Sequence, residues 1–183
     1  MGREVRRVPP NWDHPKRDPN EDRYGRDGYQ PMYDKNFDDC FAEWLADFDR
    51  IRAGQLTDFE QKCYPDGVSL AEWLQDDGRP PEPKYYRPWK DEEATWFQVW
   101  ETVSEGTPVT PPFATREELI EYLVREGDFW QQDRWRRGDT FMQPNPPGYS
   151  RTAAEKFIND TGWAPSMVVA NGKVMNGVEA LTK

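Results

Sequence analysis

The sequence predicts an α+β fold: a small antiparallel sheet of about three strands, including a C-terminal hairpin, covered by amphipathic helices and joined by long proline-rich loops. Three observations carry the expectation. Phe37, Phe41, Trp44, Leu45, Phe48 and Ile51 recur with the period of one helix face. Trp96 to Val103 is a run of aromatic and β-branched residues, with Phe97, Val99 and Val103 on one side and Trp96 and Trp100 on the other, so both faces have something to bury. Asn171-Gly172 separates two further strand-like runs, and a two-residue type I′ turn favours that pair because both central residues need positive φ.

Taken in order, residues 3–8 read as a short edge strand stopped by Pro9-Pro10. Residues 11–36 are rich in Pro, Gly, Asp and Asn, so residues 1–36 read as an extended N-terminal arm. Its rings, Trp12, Tyr24, Tyr29 and Tyr33, argue that it packs on something, its own core or a partner. The helix over 37–52 follows, with Gly54 as its stop. Ser69 and Glu72 form a capping box at the start of a short second helix, with Val68 and Trp73 placed as a staple. Residues 76–93 are a second charged, proline-rich loop. After the Trp96 strand and a Pro-rich break, Thr115 and Glu118 cap a helix carrying Leu119, Ile120, Leu123 and Val124, with Gly127 at its end. Short helices over 129–136 and from Thr152 to Gly162 flank a third polar loop at 138–149, and the hairpin closes the chain. One acidic domain over residues 1–183 is expected.

Charged residues make up 32% of the chain, above the roughly 25% usual in globular proteins. Mean hydropathy is −1.06, which alone would argue for disorder. Nine Trp, eight Tyr and nine Phe argue the other way, for a core of large rings inside a polar shell. The net charge is −10, and between Asp34 and Asp77 twelve Asp or Glu stand against four Lys or Arg, a local charge of −8. Such a surface repels phosphate and disfavours direct nucleic-acid binding, while it attracts basic protein surfaces. Neither a signal-like apolar segment near Met1 nor an apolar run of about 18 residues is present, so no membrane association is expected and a cytoplasmic location is.

The catalytic inventory is thin. His14 is the single histidine, in Trp12-Asp13-His14-Pro15, and reads as a surface residue. Cys40 and Cys63 have no metal-ligand spacing, and whether they pair stays open. The run from Asp18 to Tyr29 fails as a calcium loop, with Arg23 where Gly belongs and Tyr29 where Glu belongs. No Gly-rich phosphate loop, metal site or cofactor motif is present, and no catalytic residue is assigned. Two binding surfaces are expected instead. Asp38, Asp39, Glu43 and Asp47 on the long helix, with Tyr85, Tyr86 and Trp89 on the second loop, form a candidate partner-binding set. Ser104, Glu105, Gly106 and Thr107, with Thr115 at the helix start, form a candidate anion or ligand loop.

The segments MGREVRRVP, WETVSEGTP and WAPSMVV resemble proteins carried by tailed bacteriophages and prophages. That family has no established activity, so the resemblance transfers no functional residue. It implies a setting, the cytoplasm of a bacterial host. With the charge, it makes a binder or inhibitor of a host or anti-phage defence protein the leading expectation. A virion structural or assembly role, or a small-molecule binder using the 104–115 loop, are the alternatives.

Overall fold

In a computed structural model, described over residues 2–18, 28–76, 78–102, 106–139, 147–170 and 172–182, helices and a small antiparallel sheet make an α+β fold. Tyr24, Asp77, Val103, Ser104, Glu105 and Asn171 of the sequence expectations lie outside these residues. The elements run Gly2–Val8 (β1), Tyr33–Asn36 (β2), Phe37–Arg52 (α1), Asp58–Cys63 (α2), Leu70–Asp76 (α3), Tyr86–Arg87 (β3), Trp96–Glu101 (β4) and Thr107–Pro108 (β5). Arg116–Glu126 (α4), Phe129–Arg136 (α5), Arg151–Glu155 (α6), Trp163–Pro165 (β6), Met167–Ala170 (β7), Lys173–Asn176 (β8) and Gly177–Ala180 (α7) complete the chain. Contacts gather into two compact units, Met1–Met32 with Trp89–Lys183, and Tyr33–Pro88.

The first unit is built on a four-stranded sheet in the order β5-β4-β1-β6. β1 lies inside it, antiparallel to both β4 and β6, with Val5 opposite Val99 and Arg3 opposite Ala164. Residues 2–8 are therefore an interior strand and not the edge strand of an extended arm. Both neighbours come from far along the chain, so no local pattern could show them. Alternation then assigns the faces. Val5, Phe97 and Val99 meet Leu119, Ile120 and Leu123 of α4, Ala153 and Ala154 of α6, and Val178 of α7. Val8 and Trp100 meet Met32, Trp89 and Ala94 on the other face, with Trp12 and Trp96 at the margin. Both faces of the Trp96 strand are buried, as its composition requires.

α4 carries the expected capping box: the Glu118 N–H donates to Thr115 Oγ1 at 3.2 Å and the Thr115 N–H to Glu118 Oε2 at 3.1 Å. Gly127 ends it at φ +71°. α6 runs on into a π-helical turn over Lys156–Thr161, closed by Gly162 in the left-handed region. The hairpin forms, but β7 and β8 make a separate two-stranded ladder and do not extend the Trp96 sheet.

The second unit joins α1, α2, α3 and a parallel pair, β2 with β3. Asn36 caps α1, its Oδ1 accepting from the Asp38 N–H at 2.9 Å. α2 has its own capping box between Thr57 and Glu60. Arg50 clamps Glu60 with two nitrogens, at 2.5 and 2.7 Å, and holds that carboxyl down at about pKa 2. Trp73 is buried, and the α3 chain turns back under it at Gly78, where a Cβ would overlap the indole.

Candidate interaction surface

The hydrophobic core of the second unit is small. Among its described residues only Ile51 and Trp73 are buried hydrophobics, although the segment carries ten aromatic side chains. A segment of this length closes a modest core at best. The rings of Phe37, Phe41, Trp44 and Phe48 follow one another along α1 with centroids 5.8, 5.5 and 5.3 Å apart. Trp44 is anchored by its Nε1–H, which donates to the Gly78 carbonyl at 2.8 Å. The outer margin of this stripe is open: Phe41 is 39% and Leu45 45% exposed, one helical turn apart. Phe59 on α2 is 74% exposed.

The predicted acidic set divides around that margin. Asp38 stands three residues before Phe41 and shares its side of the helix, as does Asp49, which is outside the predicted set and pairs with Arg52 at 3.0 Å. Asp39, Glu43 and Asp47 follow a separate stripe at i, i+4 and i+8. Within it Glu43 is bound by Lys35, and Asp47 by Arg50 at 2.9 Å. Asp39 lies within the field of Lys35, whose charge it helps to stabilise. Tyr86 packs in its own unit, 5.2 Å from Tyr33 and 6.3 Å from Phe37, and Lys84 lies over Tyr85 at 5.1 Å.

Trp89 leaves the partner-binding set: at 4% exposure it is a core residue of the first unit, its ring 4.4 Å from Trp12. His14 is also buried, at 4% exposure, and is not the surface residue expected. Trp12 Nε1–H donates to its Nδ1 at 3.3 Å and its Nε2 contacts the Gln30 carbonyl at 2.6 Å. Indole only donates and a carbonyl only accepts, so the ring is neutral with its proton on Nε2. Burial, helped by Lys16 and Arg6 nearby, lowers its pKa to about 4. No signal in the sequence separates this histidine from an exposed one, because the Gln30 carbonyl and the Trp100 ring that cover it are brought to it only by the fold.

The described part of the 104–115 loop is structural. Thr107 is buried and paired with Glu101 in β5. The Gly106 carbonyl accepts from the Met32 N–H at 2.8 Å. Thr115 is occupied by its cap, and Glu117 and Glu118 in the first turn of α4 oppose an anion there. Cys40 and Cys63 are both free thiols. Among the described residues, no group of three His, Cys, Asp or Glu is placed to hold a metal ion, and no helix is long and apolar enough to cross a membrane. Comparison with protein-family models, curated proteins and solved structures finds no match.

Proposed function

We infer that this chain is a protein-binding factor that docks through α1, placing Phe41 and Leu45 against a partner whose surrounding surface is basic. The observation that carries the reading is an apolar helix margin left open inside the most acidic part of the chain. A carboxylate field speeds encounter with a cationic protein, and two large apolar side chains supply the contact that holds it. The resemblance to phage-borne proteins gives the setting: a host or anti-phage defence protein that the chain binds and inhibits.

The test is capture from bacterial lysate on immobilised full-length chain at low and high salt, beside Phe41→Ser/Leu45→Ser. The reading expects one basic protein, retained at low salt, weakened at high salt and lost on the double variant. A partner that the double variant retains in full contradicts it.

A further inference from the structure

A second surface, independent of α1, lies on the first unit, where an open groove of about 510 Å³ runs along the outward side of α4. Its apolar side is Trp96, Phe113 and Tyr122, and its polar side is Glu117, Glu118 and Glu121 with the single cation Arg125. The helix places these groups: positions 117, 118, 121 and 122 share one arc of α4, opposite the buried Leu119, Ile120 and Leu123. Phe113 is fixed by a two-way bridge with Phe97, each N–H donating to the other's carbonyl at 2.8 Å, and its ring lies 5.1 Å from Tyr122.

The charges on this face do not balance. Arg125 is taken by Glu126 at 2.9 Å. Arg151 is shared by Glu117, Glu121 and Glu155. Of the groove's own lining, three carboxylates, Glu117, Glu118 and Glu121, stand against one guanidinium, Arg125, an excess of two negative charges that Arg151 offsets in part from the groove's edge. The hydrogen bond from Arg151 holds the Glu121 carboxyl below its ordinary range, so it stays ionised.

We propose that this groove binds an extended peptide segment of a partner protein that carries arginine beside bulky apolar side chains. A guanidinium pairs with a carboxylate through its planar fork while its flat face lies on an aromatic ring, and the groove offers both within one surface. The chain already uses this chemistry on itself: Arg7 and Arg116 lie over Phe97 at 5.8 and 5.2 Å, and Arg6 over Trp100 at 4.6 Å. An open groove beside exposed carboxylates excludes phosphate-bearing ligands and leaves room for a chain that enters and exits.

The experiment is fluorescence anisotropy of a dye-labelled peptide alternating arginine and leucine, titrated with the full chain. Replacing the peptide's arginines with glutamate, or using Glu117→Gln/Glu121→Gln protein, is expected to weaken binding about tenfold or more. Arg125→Glu deepens the negative field and is expected to tighten binding, which keeps the assignment testable if the glutamine variant loses stability. Asp39→Asn/Glu43→Gln/Asp47→Asn, on the stripe of α1, is expected to leave it unchanged. Equal loss in the α1 variant would mean general attraction to an acidic chain and would overturn the proposal. So would unchanged binding in both α4 variants, or displacement by spermine at matched charge, which would point to a free polyamine. None of these outcomes bears on capture through Phe41 and Leu45, so the two surfaces are judged separately.

Discussion

Arg3 and Asp128, 125 positions apart in sequence, form a buried ion pair that ties the central strand β1 to the N-terminus of α5. Asp128 also caps that helix, its Oδ1 accepting the Gln131 N–H at 2.9 Å, and accepts the Tyr149 hydroxyl on Oδ2 at 2.6 Å. Burial works against the Arg3 charge; the Asp128 carboxylate outweighs it and raises the guanidinium pKa. Burial raises the Tyr149 phenol as well, so it remains a donor. Three donors therefore depend on one carboxylate. Asp128→Ala is expected to cost about 3–5 kcal/mol in urea unfolding, since it strands a buried cation. Arg3→Met/Asp128→Leu is expected to recover part of that loss. Asp39→Ala, on an exposed helix turn, should change little.

His14 predicts an acid-sensitive fold. Its folded pKa of about 4 lies below the ordinary 6.5, so between those values the unfolded chain binds a proton that the folded chain does not. The stability that His14 contributes is complete above pH 6.5, falls as pH drops through the window, and is gone below about 4. The loss is on the order of 3 kcal/mol. His14→Gln keeps a donor and an acceptor but cannot titrate, and its stability profile, measured against wild type across that window, should be flatter by that amount.

Gly106 sits at φ +96°, and a Cβ there would overlap the Met32 carbonyl and the Arg6 guanidinium. Gly138 has a similar left-handed φ of +68° with open space around it. Gly106→Ala is therefore expected to cost roughly 2 kcal/mol more than Gly138→Ala in thermal unfolding, the difference being the clash and not the backbone angle.

Thr115→Ala should cost about 1 kcal/mol by removing the cap of α4. Leu123→Ala, inside the core below the same helix, should cost about 2–5 kcal/mol. Urea titrations of the two variants check both the ranking and the claim that packing, more than capping, holds α4 in place.

Local signals were legible and long-range pairing was not. The α1 stripe and the Thr115–Glu118 and Ser69–Glu72 boxes are encoded within a few residues and stand where the sequence puts them, and the hairpin forms too, though apart from the expected sheet. The Thr57-Asp58-Phe59-Glu60 run carries the same capping code and marks α2, which only its short length obscured. β1 gave no sign of its interior position, because β4 and β6 reach it from about a hundred and about a hundred and sixty residues away. The burial of His14 and Trp89 depends on the same distant contacts. On α1, charge counting located the acidic region, but only the structure shows that Phe41 and Leu45 remain exposed beside it.

The α1 reading is tested most directly by amide hydrogen exchange on the complex with the captured partner. The account predicts slower exchange across residues 37–52, lost together with binding in Phe41→Ser/Leu45→Ser. Exchange in that helix left unchanged, with protection gained elsewhere, would contradict it.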